Sequence, residues 1–326
     1  MQKLIWATAV WGRAYLDLLR ETHFPSLMAP GNFPALGRTI DSYLYTSIGD
    51  AEEVADIVGG MTRFGHVQII RVEDWPPPPF AGMVGAMHDV VGRAWDENAG
   101  LLYTFPDTVV ADGVYAAVAS AIARGFRACM TAGITAMEGP VRDELMRRKA
   151  GTQTIAIPSV ELAALGLAHL HPFSRAAQWQ SPQFTLTPSM VQFADGGSYA
   201  VHAFHQVPIF VLPRRRATDF RLTLDSDFMD VTGLAPEEIT FFDRVEDYAI
   251  LELLAPKAKA HEIPAARTAS VADVVSWAAR VTTPMNRWLF SRRYMIAGAP
   301  GSPMPEADRV VREILAGLGG GAPPTG

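Results

Sequence analysis

Apolar runs alternate with amphipathic stretches through the first 135 residues. KLIWATAV (3–10) is apolar almost throughout, the pattern of a strand buried on both faces. Trp11-Gly12 breaks it, and YLDLLRETHF then sets Tyr15, Leu18, Leu19 and Phe24 at helical spacing. PSLMAPGNFPAL (25–36), with three prolines and a glycine, reads as a long connection. TIDSYLYT (39–46) is a second strand. Asp50 stands ready to cap a helix over 51–58, with Glu53 at the capping-box position. HVQIIRV (66–72) is a third strand. Four prolines at 76–79 suit neither a helix interior nor a central strand, and they act as a stiff spacer before a helix over roughly 80–97. The fourth strand covers 99–105. VYAAVASAIARG (114–125) is an amphipathic helix stopped by Gly125, and FRACMTAGI carries the fifth strand. Five strand–helix alternations predict an α/β fold built on a doubly wound, mainly parallel sheet. Such sheets bind ligands beyond the carboxyl ends of their strands, here Thr8–Gly12, Tyr45–Asp50, Asp74 and Phe105–Asp112.

After residue 135 the pattern becomes mixed α+β. RDELMRRK is a polar helix, and Ser159 is placed to cap a helix over VELAALGLAHL. SMVQF and SYAVHAFH follow as strands joined by a DGG turn. VPIFVLP, FRLTL, ITFF and YAILELL are further strands, and helices are predicted over 271–296 and 305–317. The expected organisation is 1–135, then 136–318 as the second half of the same domain, then 319–326 as a disordered tail.

Composition narrows the function. The chain has 326 residues and a net charge of −6, which argues against a nucleic-acid partner. Lys occurs only at 3, 149, 257 and 259, so Arg supplies most of the positive charge. One cysteine, Cys129, excludes an intrachain disulfide and sits in an apolar stretch. The opening MQKLIWATAV does not read as a secretory signal, and no apolar run has membrane-span length. A cytoplasmic protein without a transmembrane segment is the expectation. Trp277, Trp288 and Tyr294 read as a helix face packed on the sheet. Arg292-Arg293 beside them leave peripheral membrane contact open.

Two apparent motifs dissolve on inspection. Gly196-Gly197-Ser198 joins two strands, so it is a hairpin turn rather than a nucleophile elbow. His202 and His205 are three apart in a strand and face opposite ways, so they cannot chelate one metal alone.

The chemistry concentrates in LYTFPDTVVADG (102–113), where a buried strand ends in Asp107 and a second acid, Asp112, precedes a helix. An acid just beyond a strand can face the crevice and hold a divalent cation against a diphosphate. Asp112 is equally well placed as a helix N-cap. YTFPDTVVADGVYAAV resembles the heart of the GT-A-type nucleotide-sugar glycosyltransferases, in which a hydrophobic strand ends in Asp-x-Asp before a further Asp and a helix. On that pattern Asp107 takes the second Asp and Asp112 the later acid, while Phe105 stands where the first Asp belongs. ATAVWGRAYLDLL is similar to the family's first strand and nucleotide-facing loop, and TSIGDAEEV to its second strand-to-helix turn. The resemblance covers about 1–135. It implies a GT-A-like fold and a nucleotide held by Thr8, Ala9, Trp11, Gly12, Tyr45, Thr46 and Asp107. It also implies a divalent cation, Mg²⁺ or Mn²⁺, on Asp107; His205 is a candidate late ligand, beside the plainer reading of a strand histidine. Phe105 leaves three alternatives: a metal-independent transferase, a site completed by acids elsewhere, or a fold that only binds.

In that family the later half supplies the acceptor side. Asp225 or Asp227, in FRLTLDSDF, is the candidate catalytic base or missing metal ligand, beside the plainer reading of an Asx turn. Trp179 is a candidate stacking platform for a sugar and His171 a candidate acceptor contact, beside core packing and a helix-end histidine. Arg214-Arg215-Arg216 is a basic run able to meet a diphosphate or an anionic acceptor. The expected function is transfer of a sugar from a nucleotide-sugar to a saccharide or other hydroxyl acceptor, as in polysaccharide biosynthesis. The first alternative is a catalytically silent nucleotide- or carbohydrate-binding protein, and the second a nucleotidyltransferase on a similar sheet.

Overall fold

The structure, a computed structural model, describes residues 3–73, 79–217, 228–299 and 302–320. Its strands are β1 (Leu4–Ala9), β2 (Ile40–Thr46), β3 (Val67–Arg71), β4 (Gly100–Tyr103), β5 (Thr108–Val110), β6 (Ala128–Thr131), β7 (Ile134–Met137), β8 (Met190–Asp195), β9 (Ser198–Ala203), β10 (Val207–Val211), β11 (Ile239–Phe241), β12 (Ile250–Leu254) and β13 (Tyr294–Ala297). Its helices are α1 (Arg13–Leu18), α2 (Phe24–Leu27), α3 (Ala51–Val58), α4 (Pro79–Asp96), α5 (Val114–Ala123), α6 (Glu138–Lys149), α7 (Ser159–Ala168), α8 (Pro172–Ala176), α9 (Phe228–Val231), α10 (Val271–Val281), α11 (Pro284–Phe290) and α12 (Pro305–Gly317). The chain forms two compact units, neither continuous in sequence. Residues 1–130, 144–156 and 208–240 make the first; 131–143, 157–207 and 241–326 make the second.

The first unit is a mixed, mainly parallel sheet in the order β3-β2-β1-β4-β10-β6-β11. β1 runs parallel to β2 and β4, and β2 parallel to β3. Residues of one parity in β1 and β2 form one face, where Trp6 stacks on Phe24 of α2 with ring centroids 6.3 Å apart. The opposite face meets α4: the Tyr45 hydroxyl donates to Asp89 at 2.7 Å, and Arg93 lies over the Tyr43 ring at 4.9 Å. Helices on both faces explain why LIWATA is apolar along its whole length. The chain steps from β1 to β2 to β3 in one direction and returns with β4 on the other side of β1. That reversal places the topological switch point between β1 and β4.

β10 lies in the second half of the same domain as the sequence divides it. It enters this sheet antiparallel to β4, with Val211 opposite Leu101. Gly100 makes room for it, because a Cβ there would stand 2.3 Å from Cε2 of Phe210. The FRLTL strand, Asp74, and Asp225 and Asp227 lie outside the described residues.

In the second unit β13, β9 and β8 form an antiparallel sheet, and β7 runs parallel to β12. Asp195 pairs with Ser198 across a two-residue turn, Gly196-Gly197, whose φ angles of 53° and 85° suit the twist of a tight hairpin. The core beneath holds Phe184, Phe193, Phe204 and Phe290, the last two stacked at 3.9 Å. The single helix expected over 271–296 is two helices and a strand. Thr283 caps α11 by accepting from the Asn286 amide at 3.2 Å, and Pro284 sits at its first position, so α10 cannot run on. Trp277 of α10 packs on the core and Trp288 of α11 is buried, whereas Tyr294, expected on the same helix face, is buried as the first residue of β13. Among the described residues no helix is long and apolar enough to cross a membrane.

Candidate functional site

The carboxyl ends of β1 and β4 lead into Val10-Trp11-Gly12 and into Phe105-Pro106-Asp107. These are neighbouring strand ends at the switch point, where an open α/β sheet takes its ligand. Gly12 has φ 83° and ψ 147°, a conformation open to glycine and strained for other residues. Its amide donates to Asp50 Oδ2 at 2.9 Å, and the Ser47 hydroxyl donates to the same oxygen at 2.8 Å. Asp50 therefore does not cap α3 with its side chain, as the sequence pattern predicts; it ties the loop after β1 to the loop after β2. The Ile48 amide donates to Glu73 in the same way. Carboxylate oxygens thus occupy backbone amides at the crevice rim, the kind of donor that binds phosphate elsewhere. Arg13 is committed too, paired with Asp17 and Glu53.

Asp107 is half-buried in a turn closed by the Thr108 amide on the Phe105 carbonyl at 3.0 Å. The turn is held by His23, which is wholly buried. His23 Nδ1 lies 2.6 Å from the Thr108 carbonyl and must donate to it. Nε2 lies 2.8 Å from Thr104 Oγ1 and accepts from it. Thr104 Oγ1 in turn accepts from the Trp6 indole at 2.9 Å. His23 sits in the π-helical turn Leu19–His23 between α1 and α2. One neutral imidazole thereby grips both ends of the Thr104–Thr108 segment.

The segment 25–36, expected only as a connection, continues this clamp. Ser26 Oγ accepts from the Val110 amide at 3.2 Å. Asn32 Nδ2 donates to the Ala111 carbonyl at 3.0 Å, and its Oδ1 accepts from the Tyr115 amide at 3.2 Å. Asp112 is not the cap of α5. Gly113 precedes that helix, Asn32 serves its Tyr115 amide, the Gly31 carbonyl its Ala116 amide, and Asp112 Oδ1 accepts from the Gly31 amide at 2.6 Å. His23, Ser26 and Asn32 were not singled out in the sequence. Ser26 and Asn32 stand among apolar residues and prolines, whereas His23 directly follows Arg20-Glu21-Thr22 and carries no local signal; the structure buries all three completely.

The other expected site residues fall as follows. Thr8, Tyr45 and Thr46 are fully buried and Ala9 is half-buried; Tyr45 is held by Asp89. Burial raises the Tyr45 hydroxyl well above its ordinary range, so it stays protonated. Trp11 is half-buried, with Gly82 of α4 close against its ring. In the second unit His171 is fully buried: Nδ1 accepts from the Phe173 amide at 3.1 Å and Nε2 faces the Ala255 carbonyl at 2.9 Å. It acts there as the N-cap of α8. Trp179 packs edge-on against Phe184 at 5.9 Å and stacks with Phe193 at 6.3 Å. His205 lies edge-on to Trp277 at 6.2 Å. Asp107 and His205 belong to different units. Among the described residues no three His, Cys, Asp or Glu side chains converge to hold a metal ion. Arg214 is bonded to Glu238, Arg215 to the carbonyls of Val231 and Asp230, and Arg216 to Asp96, so the basic run is spent within the first unit. Cys129 is buried, and burial pushes its thiol up to about 12, which keeps it inert.

Burial also pushes the His23 imidazole down to about 4 against its Thr108 bond. His202, buried in the second unit with Nδ1 donating to the Phe290 carbonyl at 3.1 Å, is likewise pushed down to about 4. Both are neutral when folded and take up a proton near pH 6.5 when unfolded. Their contribution to stability is complete above pH 6.5, shrinks as pH falls, and is gone below about 4. Each is expected to account for about 3 kcal/mol over that window. Urea midpoints measured from pH 7.5 to 4 check this; a flat profile between 6.5 and 4.5 would contradict it.

No family model matches the sequence, and no curated protein matches it. One solved structure to which the chain is similar is described as a glucose-1-phosphate thymidylyltransferase from Bacillus anthracis in complex with a sucrose. The match covers 42% of this chain and 57% of that one, at 14% identity and a TM-score of 0.25. The chain thus spans a little over half of that neighbour's length, and a likeness this loose carries no statement about residues or activity.

Proposed function

We propose that the first unit binds a nucleotide at the carboxyl ends of β1 and β4, and that the protein transfers a sugar from a nucleotide-sugar to a hydroxyl acceptor. The observation that carries this is the switch point itself, with Gly12 in its special conformation on one strand end and the clamped Asp107 turn on the next. In this reading Trp11 and Phe105 offer ring surface to a base or ribose. The diphosphate takes the Gly12 and Ile48 amides in exchange for Asp50 and Glu73. Asp107 faces the diphosphate, directly or through Mg²⁺ or Mn²⁺. The resemblance of 103–118 to the GT-A heart supports the transferase part. Asp225 and Asp227 remain the proposed source of the base.

A second reading, binding without transfer, draws on Phe105 in the place of an acid. The two are separated by a thermal-shift panel of nucleoside diphosphates and nucleotide-sugars, with and without Mn²⁺. The proposal expects one nucleotide to raise Tm by several degrees, through mass action on the folded state, and Asp107→Ala to abolish that rise. No shift from any nucleotide defeats both readings. A shift without hydrolysis or transfer of any donor sugar leaves only the binding reading.

A further inference from the structure

A cavity of about 440 Å³ lies in the first unit between the helical segment 20–28, the segment 56–63 and the stretch 149–154. Three cations line it, Arg20, Arg63 and Lys149, against one acid, Asp56. Arg20 pairs at 2.5 Å with Glu53, which Arg13 shares, so Arg63 and Lys149 against Asp56 leave the lining with a net positive charge. Phe24 and Pro25 give it an apolar floor. The Ile155 amide donates to the Pro25 carbonyl at 3.0 Å and fastens the stretch bearing Lys149 to that floor. The Lys149 ammonium is half-buried and reaches the Arg20 carbonyl at 3.5 Å, the outer limit of a hydrogen bond. Burial lowers its pKa, with the nearby Glu21 acting in the opposite direction. A half-buried ammonium so weakly solvated by protein gains most from an incoming anion.

We propose that this cavity binds a phosphate monoester carried on a flat apolar group, with the phosphate between Arg63 and Lys149 and the apolar part on Phe24 and Pro25. The volume suits a ligand of small-molecule size. A carboxylate brings one negative charge and two oxygens, whereas a phosphate monoester brings close to two charges and three terminal oxygens, the better match for two cations. The site does not depend on the nucleotide crevice: its residues lie on the helices and on 149–154, and none belongs to the strand ends at the switch point.

Gly60 supplies a direct test. It lines the cavity, its φ lies outside the left-handed region, and a Cβ there would meet only Cζ of Phe24, at 4.0 Å. Gly60→Leu therefore fills the cavity without a backbone clash, and Arg63→Gln removes an exposed charge without touching the core. Calorimetric titration of the full chain with phenyl phosphate, inorganic phosphate and benzoate is the experiment. Phenyl phosphate is expected to bind at least about tenfold more tightly than either of the others, and Gly60→Leu, Arg63→Gln and Lys149→Met each to weaken it about tenfold or more, the equivalent of one lost charge-assisted contact. No binding of phenyl phosphate to the native chain, or equal affinity in Gly60→Leu and Arg63→Gln, would overturn the site. Benzoate binding as tightly as phenyl phosphate would overturn its assignment to phosphate.

Discussion

His23→Leu is expected to cost about 3 kcal/mol of folding stability, although leucine nearly matches histidine in volume. The loss comes from polar groups left behind. The Thr108 carbonyl would lose its donor and the Thr104 hydroxyl its acceptor, both inside the protein, at about 1–3 kcal/mol for each unsatisfied group. Urea unfolding at pH 7.5 measures it. The same variant should lose about half of the histidine-linked fall in stability between pH 6.5 and 4, because of the two buried histidines His202 alone would remain. A loss below about 0.5 kcal/mol, within the range of an ordinary surface change, would show that His23 does not hold the Thr104–Thr108 turn.

Gly31→Ala is expected to be nearly as damaging, at about 1–3 kcal/mol, for the opposite reason: it adds one atom where there is no space. The new Cβ would stand 2.7 Å from Asp112 Oδ1, 2.7 Å from the Gly113 nitrogen and 2.8 Å from the Gly113 Cα. Two of those three atoms are backbone, so no rotamer change relieves the contact. The substitution pushes apart the pair of segments joined by the Gly31–Asp112 bond and by the Ala116 amide on the Gly31 carbonyl at 3.0 Å. Hydrogen exchange should show faster opening over 108–116 while β1 and β2 keep their protection. Native-like stability and exchange in Gly31→Ala would mean that the two segments are not in fact locked together.

These two positions also mark the limit of what the sequence conveys. Alternation of apolar runs with helical spacing announced the layered α/β sheet, because the burial of LIWATA and IDSYLYT on both faces is written into their composition. The GG hairpin was legible for the same local reason: two consecutive residues with positive φ call for glycine. The break between α10 and α11 was also written locally, in Thr283-Pro284, and the smoother periodicity of the flanking apolar residues hid it. The place of β10 was not legible. Pairing order is non-local, and only the missing side chain of Gly100, meeting Phe210, betrays the neighbour.

At the site, the sequence located the strand ends but misread what the acids do. Asp50 and Asp112 have the spacing of helix caps, yet each reaches across to an amide far away in sequence, Gly12 and Gly31 respectively. A cap and a cross-link use the same residue types at the same local positions, so periodicity cannot separate them. His23, Ser26 and Asn32 were overlooked because their partners, 104–115, are some 80 residues away. Trp179 and His171, plausible ligand contacts by type, are absorbed by core packing and helix capping.

The central claim is a location: a nucleotide sits at the switch point between β1 and β4. A crystal of the full chain soaked with the nucleoside diphosphate that gives the largest thermal shift tests it most directly. The account predicts density for the diphosphate beyond the carboxyl ends of these strands, with phosphate oxygens on the Gly12 amide, Asp50 displaced from it, and the base against Trp11 or Phe105. Density bound anywhere else, with Asp50 still on the Gly12 amide, would contradict it.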